Sequence, residues 1–291
     1  DADAILFGAI GDPKYDNNPK AKIRPEDGLL EMRKFLGLYA NVRPVITYDS
    51  LLDSSPLKKE IVSGTNFIVY RELTGGIYFG EKSISEDRKS AYDTCSYNIN
   101  EIERISHLAF KEARKRKKEL TLVDKANVLE TSRLWREVVQ KISKDYPDIN
   151  VSYLFVDNAA MKIITNPKDF DVILTENMFG DIITDEASVI TGSLGMLPSA
   201  SIGDKISLFE PIHGSYPQAV GKGIANPMAM ILSLAMMLDL SFNLKKESEI
   251  ILKSVEDALN ENFVTIDIDG KNYYSTSEVG DWLSKRVSEY L

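Results

Sequence analysis

The segment Phe67-Ile68-Val69-Tyr70-Arg71 is a short apolar run that ends in a charge and leads into the glycine-rich stretch Leu73–Glu81. Branched and aromatic side chains in succession favour a buried β-strand, and the glycines that follow favour a turn. Similar runs recur along the chain and alternate with stretches of helical period, so the sequence predicts an α/β fold. The other predicted strands are Ala4–Phe7, Leu120–Asp124, Val151–Phe155, Val172–Thr175 and Leu208–Glu210.

The helices predicted between these strands carry signals at their ends. Asn100 followed by Glu103 resembles a capping box, with apolar residues on one face of the helix that follows. A second helix is predicted over 132–143. Asn226 and Pro227 favour the start of a third helix, which is apolar on most sides and is therefore expected to be buried.

The composition excludes several classes of protein. The chain has 291 residues, a net charge of −9 and 43% hydrophobic residues, which argues for a globular protein and against nucleic acid as its main partner. The single cysteine, Cys95, excludes an internal disulfide and suits a reducing cytoplasm. The longest apolar stretch, Pro227–Leu240, is too short to span a bilayer. We therefore expect a cytoplasmic protein that does not bind membranes.

No Gly/Ser-rich or Pro-rich linker divides the chain. If there are two domains, the backbone crosses between them through short connections, which we expect near Leu38 and Gly192. This predicts an inserted domain over residues 39–191 and a second domain made of 1–38 and 192–291. The chain starts at Asp1, without methionine, and enters a predicted strand almost at once. We expect the natural protein to extend further upstream.

Three arginines stand beside apolar patterns: Arg33, Arg43 and Arg71. A guanidinium holds a carboxylate through two parallel hydrogen bonds, so the three together suit a dicarboxylate ligand. For any one of them alone, a solvated arginine or a surface ion pair is the better interpretation. Arg43 precedes a proline and Arg71 ends a buried strand, which favours a functional role for these two.

Two aspartates, Asp181 and Asp185, lie four residues apart, so on a helix they share a face. Their repulsion is relieved if a hard cation with oxygen ligands lies between them. With two histidines and one cysteine in the chain, magnesium or manganese fits better than zinc. An acidic helix start favoured by the macrodipole is an equally good interpretation of the pair alone.

Two residues are candidates for proton transfer. Lys125 follows a predicted buried strand, where desolvation or nearby cations lower the pKa of a lysine and allow it to act as a base. Tyr78 lies among glycines that allow backbone to approach a ligand. In isolation, an exposed lysine with a buried stem and a packed tyrosine are the better interpretations.

A glycine-rich loop runs from His213 to Pro227 and leads into a predicted helix. Backbone amides there suit the phosphates or adenosine of a nucleotide. An ordinary surface loop has the same spacing, and the Gly-x-Gly-x-x-Gly fingerprint of Rossmann domains is absent from the sequence.

The segments Gly75–Glu81, Asp124–Asn127 and Gly221–Pro227 resemble the β-decarboxylating dehydrogenases, the family that includes isocitrate and isopropylmalate dehydrogenases. The resemblance covers nearly the whole chain, up to Thr276–Asp281. It implies a two-domain α/β fold with mixed sheets flanked by helices. It also implies oxidation of a hydroxy diacid by NAD and loss of carbon dioxide, assisted by Mg²⁺ or Mn²⁺.

The resemblance assigns roles to individual residues. Arg33, Arg43 and Arg71 match the carboxylate-binding arginines, Tyr78 the proton donor and Lys125 the base. The metal-binding and cofactor-binding positions also match, and Asp181 contacts substrate as well as metal. In this family the lysine and one aspartate, here Lys125 and Asp157, come from the partner subunit, which implies a homodimer. The metal ligands are then Asp157, Asp181 and Asp185, and the cofactor-binding residues are His213, Gly214, Ser215, Gln218, Gly223, Ala225 and Asn226.

The expected substrate follows from Glu26, Leu29 and Leu30, which match the pocket of the isopropylmalate enzymes. Two leucines suit an isopropyl group and argue against a third carboxylate. We therefore expect 3-isopropylmalate to be converted to 4-methyl-2-oxopentanoate in leucine biosynthesis. Homoisocitrate, tartrate or malate derivatives are the nearest alternative substrates, and an inactive regulatory subunit is the alternative of another class.

Two features depart from the family pattern. The opening strand and the Gly-Asp-Gly-Ile-Gly-Pro turn of the family are absent from this sequence. Gln218 also stands where NAD-preferring members carry an acidic residue. A carboxylate there repels the 2′-phosphate of NADP, whereas glutamine does not. We expect weaker discrimination against NADP, without a switch to it.

Overall fold

The structure, a computed structural model, describes residues 2–15 and 24–291, without the side chain of Glu26. Strands and helices alternate through most of this part of the chain. The strands are β1 Ile5–Leu6, β2 Leu38–Ile46, β3 Asn66–Glu72, β4 Lys82–Ile84, β5 Ala91–Asp93, β6 Glu119–Asp124, β7 Asn150–Phe155, β8 Val172–Thr175, β9 Pro198–Gly203 and β10 Ser207–Pro211. The helices are α1 Pro25–Leu36, α2 Lys59–Val62, α3 Ile99–Lys115, α4 Glu130–Ile142, α5 Val156–Thr165, α6 Asn177–Ser188, α7 Met228–Phe242, α8 Lys245–Asn260 and α9 Thr276–Tyr290.

The chain divides into two compact units. The first consists of Asp1–Leu38, Ile46–Gly64 and Ser188–Leu291, and the second of Tyr39–Val45 and Thr65–Ala187. The two compact units and the predicted domains share two boundaries, one after residue 38 and one within a few residues of residue 190. They differ over Ile46–Gly64, which belongs to the first unit and lies inside the range predicted as an insertion.

The first unit contains strands β1, β10 and β9 in that order, with β1 parallel and β9 antiparallel to β10. Helices α7, α8 and α9 supply most of its apolar core. The predicted apolar helix is confirmed as α7, which begins at Met228 after Pro227 and has Met228 and Leu232 fully or nearly buried. The rest of this core includes Leu51, Met196, Val255, Leu259, Val279 and Leu283.

The second unit contains five strands in the order β2-β3-β8-β6-β7. The pairs β3–β8, β8–β6 and β6–β7 are parallel. Strand β8 is buried along its whole length and β3 along nearly all of it. Such burial is expected when helices cover both faces of a parallel sheet. The largest fully buried side chains of this unit are those of Trp135, Phe67, Phe110, Ile102, Ile105, Leu120, Leu122, Ile163, Ile173 and Leu174.

The α/β fold with a mixed sheet flanked by helices is as predicted, and each predicted strand is confirmed within two residues at either end. One helix signal was placed wrongly. The capping box of α3 is formed by Asn98 and Glu101, which lie where the helix begins. Asn100 and Glu103 have the same spacing, so the sequence pattern alone did not distinguish the two pairs. In the part of the chain that is described, no helix is both long and apolar enough to cross a membrane.

Candidate active site

The parallel strands of the second unit bring several of the predicted residues to one edge of its sheet. Arg71 is in register with Thr175, and Asp124 with Phe155, so β3, β8, β6 and β7 all end on the same side. Arg71 is the second-last residue of β3, Lys125 directly follows β6, and Glu176 alone separates β8 from helix α6. The carboxyl ends of strands are where open α/β sheets bind their ligands.

Arg71 is held in a fixed orientation at this edge. Its side chain is 7% exposed, and its Nε and Nη2 atoms donate to Oδ1 of Asn177 at 3.1 and 2.8 Å. Its Nη1 atom donates to the Asp181 carboxylate. Gly180 leaves the necessary room, because a Cβ atom there would lie 2.5 Å from Cγ of Arg71. The guanidinium is therefore directed towards the start of α6.

Tyr78 joins the same cluster from the glycine-rich turn after β3. Its hydroxyl donates to Oδ2 of Asp181 at 2.8 Å. Partial burial, together with the neighbouring Asp181 carboxylate, raises the pKa of Tyr78 to about 12. Gly76, with φ +77°, donates its N–H to the carbonyl of Ser96 at 3.0 Å and fixes the turn. The phenol is thus kept protonated and oriented, as a proton donor must be.

Arg43, from β2, contacts the next turn of α6. Its Nη1 atom donates to Oγ1 of Thr184 at 2.7 Å and to Oδ1 of Asp185 at 3.0 Å, and its Nε atom donates to Oδ1 of Asn41 at 2.8 Å. Asp181 and Asp185 therefore each face an arginine. The repulsion between these two carboxylates, from which a bound cation was inferred, is relieved by the two guanidinium groups. Repulsion between the two carboxylates therefore does not by itself require a cation, and the metal site stays a prediction.

The donor set of α6 nevertheless suits a hard cation, because Asp181 and Asp185 offer only carboxylate oxygens from one helix face. Within the described part of this single chain, no three His, Cys, Asp or Glu side chains are grouped to hold a metal ion. The third predicted ligand, Asp157, contacts Lys125 instead.

Lys125 and Asp157 form a separate pair at the ends of β6 and β7. Nζ of Lys125 donates to Oδ1 of Asp157 at 2.5 Å, and this contact lowers the pKa of Asp157. The Asp157 side chain is 62% exposed. The backbone N–H of Lys125 donates to Oγ of Ser132 at 3.0 Å, which fixes the chain where the strand ends. The pair is therefore ordered and open to a ligand or to another chain.

The sequence interpretation missed a set of buried polar residues behind Arg71 and Tyr78. Glu72 has no exposed surface and accepts hydrogen bonds from the backbone of Thr74 and Gly75. Glu176 accepts from the N–H of Phe179 and from the hydroxyl of Tyr97. Burial raises the pKa of both Glu72 and Glu176. Their one signal in the sequence is position, since each directly ends or follows a buried strand.

Helix α1 of the first unit carries the predicted specificity residues. Nη2 of Arg33 donates to Oε1 of the buried Glu210 at 2.7 Å. Leu29 is half-buried and Leu30 is 46% exposed, and each lies one helical turn before Arg33. The side chain of Glu26 lies outside what the structure describes. An exposed apolar surface thus adjoins a cationic group on this helix.

The glycine-rich loop of the first unit is tied to the last helix. The backbone N–H of Thr276 donates to the carbonyl of Gly223 at 2.8 Å, and its hydroxyl donates to the carbonyl of Ala225 at 2.6 Å. Gly221 and Gly223 have φ of +76° and +63°, a conformation that favours glycine. No atom lies within 4 Å of a Cβ built on Gly221. The loop is thus fixed in shape, with open space beside its backbone.

The remaining predicted cofactor residues belong to the same unit. The Nδ1–H of His213 donates to the carbonyl of Gly214 at 2.9 Å, and Oγ of Ser215 donates to the carbonyl of Gly11. Gln218 is exposed. Asn226 donates to Asp267 at 3.1 Å and accepts from the N–H of Met228 at 2.9 Å, so it is held firmly. Exposed polar groups beside glycines suit a nucleotide.

Comparison with known sequences identifies relatives along nearly the whole chain. A family model described as isocitrate/isopropylmalate dehydrogenase matches residues 1–283. A 3-isopropylmalate dehydrogenase of Bacteroides fragilis is 56% identical over 284 residues, which is 97% of this chain and 80% of the relative. One of Oceanobacillus iheyensis is 60% identical over 268 residues, which is 92% of this chain and 73% of the relative.

Solved structures give the same result for the fold. The isocitrate dehydrogenase of Methylococcus capsulatus matches with a TM-score of 0.85 at 33% identity, covering 98% of this chain and 81% of that one. A β-decarboxylating dehydrogenase of Thermococcus kodakarensis matches with a TM-score of 0.80 at 34% identity, covering 99% of this chain and 79% of that one.

Proposed function

The chain belongs to the isocitrate/isopropylmalate dehydrogenase family, and from this premise we propose that it oxidises 3-isopropylmalate with NAD and decarboxylates the product to 4-methyl-2-oxopentanoate. This reaction is the oxidative step of leucine biosynthesis. The observation that carries the proposal is the cluster of Arg71, Tyr78 and Asp181, in which one carboxylate accepts hydrogen bonds from a guanidinium and a phenol. The cluster provides both a carboxylate-binding group and a proton donor.

The arginines bind the two carboxylates of the substrate. Arg71 and Arg43 are each oriented by neutral acceptors, Asn177 and Asn41. A guanidinium fixed in this way loses little entropy when it binds a carboxylate through two hydrogen bonds. Arg33, beside the exposed Leu30, serves the same purpose in the first unit.

Two residues move protons in the proposed reaction. Lys125 accepts the proton of the substrate hydroxyl as the hydrogen on the same carbon leaves as hydride. Tyr78 donates a proton to the carbon from which carbon dioxide has departed. A pKa raised to about 12 supports this role, because the phenol then enters the reaction in its protonated form.

Asp181, Asp185 and the Asp157 of a second copy would hold Mg²⁺ or Mn²⁺. The glycine-rich loop would hold NAD. When bound, the cation supplies a Lewis acid and the nicotinamide a hydride acceptor. The residues proposed to hold NAD are His213, Gly214, Ser215, Gln218, Gly223, Ala225 and Asn226.

A homodimer with shared active sites follows from the same proposal. Lys125 and Asp157 contact each other rather than the Arg71 cluster of their own chain. In the second unit, Met161, one helical turn after Asp157 on α5, and Ile182, next to Asp181 on α6, are 62% and 59% exposed. A second copy packed on these residues would receive the Lys125–Asp157 pair.

The choice of 3-isopropylmalate over isocitrate rests on Leu29 and Leu30. Both are apolar, whereas a third carboxylate of the substrate requires a polar partner. The identities agree with this choice, since the two isopropylmalate relatives match at 56% and 60% and the isocitrate dehydrogenase at 33%.

The test is turnover of 3-isopropylmalate by the purified protein with NAD and Mg²⁺, beside isocitrate, homoisocitrate, tartrate and malate. We expect 3-isopropylmalate to have the highest kcat/KM. Replacement Lys125→Ala should lower kcat by about 10²- to 10⁴-fold. Lys141→Ala, which removes an exposed lysine from a weak ion pair with Glu103, is the matched control and should match the parent. Preference for a tricarboxylic acid contradicts the proposed substrate, and a parent without turnover of any of these acids supports a regulatory subunit instead.

A further inference from the structure

We propose that Asn177 is a positioning residue that couples the orientation of Arg71 to the placement of the turn that carries Tyr78. The inference rests on the proposed function and assigns a role to a residue that contacts neither reacting atoms nor cofactor in that scheme. Asn177 is the first residue of α6 and is 1% exposed, so its polar groups are satisfied by protein alone.

The side chain of Asn177 uses its acceptor and its donor on opposite partners. Its Oδ1 atom accepts from Nε and Nη2 of Arg71 at 3.1 and 2.8 Å. Its Nδ2 atom donates to the carbonyl of Gly75 at 3.2 Å. Gly75 lies three residues before Tyr78, within the turn that sets the position of the phenol. One amide thus links the carboxylate-binding guanidinium to the proton donor.

The backbone of Asn177 is held from a third direction. Its N–H donates to the hydroxyl of Tyr97 at 3.0 Å, and that hydroxyl donates to Oε2 of Glu176 at 3.2 Å. The ring of Tyr97 fills the space beside Gly75, where an added Cβ would lie 2.6 Å from Cε1 of the ring. Tyr97 therefore packs on the same turn that the Asn177 side chain contacts.

The chemistry of the amide makes the two links separable. Asn177→Leu has nearly the same shape and removes both the acceptor and the donor. Asn177→Asp restores an acceptor for Arg71 but faces the Gly75 carbonyl with an oxygen, so this second link stays broken. A comparison of the two variants therefore separates the hold on Arg71 from the hold on the turn.

We expect Asn177→Leu to raise KM for 3-isopropylmalate and to lower kcat, each by roughly tenfold, which is the size expected for losing one hydrogen bond to a charged group and one in a buried site. In Asn177→Asp, KM should recover towards the parent value while kcat stays low. Hydrogen exchange of the backbone amides in residues 75–80 should be faster than in the parent for both variants. Loss of a residue with a merely structural role would not let KM recover while kcat stays low.

Tyr97→Phe tests the hold on Asn177 if neither Asn177 variant folds, as judged by circular dichroism. It keeps the ring beside Gly75 but removes the hydroxyl that accepts from the backbone N–H of Asn177, so the amide that links Arg71 to the turn is less firmly placed. We expect kcat to fall and KM to rise, each by less than in Asn177→Leu. Tyr146→Phe is the matched control, because it removes the hydroxyl of another buried tyrosine of this unit, which contacts His107 at 3.0 Å. This control should leave both kcat and KM unchanged.

The outcomes distinguish this inference from the proposed function. A parent protein that does not turn over 3-isopropylmalate overturns the proposed function. An active parent whose folded Asn177 variants keep parental kcat and parental exchange in residues 75–80 overturns the role of Asn177 alone. If Tyr97→Phe is the only variant that folds, a kcat and a KM equal to those of the parent also overturn the role of Asn177.

Discussion

The hydroxyl of Tyr78 donates to one carboxylate oxygen of Asp181 at 2.8 Å, and Arg71 donates to the other oxygen of that carboxylate. Burial raises the pKa of the phenol, the carboxylate adds to this effect, and Arg71 acts in the opposite direction. The balance leaves a tyrosine that stays protonated far above neutral pH.

Tyr78→Phe should therefore lower kcat by about 10²- to 10⁴-fold, because it removes the proposed proton donor and leaves the ring in place. Since kcat/KM reports the free protein, in which the pKa of this tyrosine is about 12, its ionisation should not reduce the parental kcat/KM at pH 10, where an ordinary tyrosine is half ionised. The measurement is kcat and kcat/KM across pH for parent and variant. Tyr92→Phe, on the exposed strand β5, is the control. A parental kcat in Tyr78→Phe would exclude the assigned donor.

Gly180→Ala should impair ligand binding through Arg71. The added Cβ would lie 2.5 Å from Cγ and 2.8 Å from Cβ of Arg71, so the arginine must shift. We expect KM to rise by roughly tenfold and the free energy of unfolding to fall by about 1–3 kcal/mol. Gly280→Ala, in α9, is the matched helical control.

A Cβ at Gly280 would have no atom within 4 Å, so this control should gain about 0.5–1 kcal/mol from helix propensity. Steady-state kinetics and urea unfolding of both variants are the measurements. If Gly180→Ala behaves like Gly280→Ala, the close contact with Arg71 is unimportant.

Six of the ten strands in the described residues were predicted, because uninterrupted apolar runs indicate them. Buried parallel strands are uninterrupted apolar runs, and a polar residue at the end of such a run marks the edge of the sheet. Strand β2 escaped prediction because Asn41, Arg43 and Pro44 interrupt its apolar pattern. Arg43 uses this position to contact Asn41, Thr184 and Asp185, so the residues that form these contacts obscure the strand signal.

The buried support of the site was not predictable from sequence. Glu176 and Asn177 lie far from Arg71 and Gly75 in the chain and are brought to them by the parallel pairing of β3 and β8. Tyr97 joins them from the segment between β5 and α3. A buried amide cannot be told from an exposed one by residue type alone. The charge balance of Asp181 and Asp185 likewise required the positions of both arginines.

Leu30→Ala should weaken selection for the isopropyl group. Leu30 is 46% exposed on α1, one turn before Arg33, where substrate would cover it. Loss of apolar contact of this size is worth about 1–3 kcal/mol, so kcat/KM for 3-isopropylmalate should fall by roughly tenfold or more. Malate lacks the isopropyl group, so its kcat/KM should hardly change. An equal fall for both substrates would show that Leu30 supports the fold rather than specificity.

Gln218→Glu should increase the preference for NAD over NADP. Gln218 is exposed at the glycine-rich loop and carries no charge. A carboxylate there repels a 2′-phosphate and still bonds to ribose hydroxyls. The ratio of kcat/KM for NAD to that for NADP should rise by roughly tenfold, the size of one charge interaction of about 1.4 kcal/mol. A parental protein that already rejects NADP as strongly as the variant would show this position to be immaterial.

Glu176→Gln should change how stability depends on pH. Burial raises the pKa of Glu176 above its ordinary value of 4.5, so the folded state retains a proton that the unfolded chain has released. This carboxyl group therefore contributes less to the free energy of unfolding as pH rises above 4.5. Glutamine stays neutral, so the stability of the variant relative to the parent should increase between pH 4.5 and pH 8. Urea unfolding at several pH values measures this, and a constant difference would mean that Glu176 is not held neutral by the fold.

The four charges that meet along α6, those of Arg43, Arg71, Asp181 and Asp185, sum to zero. A dicarboxylate that enters alone leaves the pocket with two excess negative charges, whereas a dicarboxylate accompanied by a divalent ion leaves it balanced. Under the proposed function, ion and diacid should thus bind synergistically. By thermodynamic reciprocity, each tightens the other's affinity by the same factor.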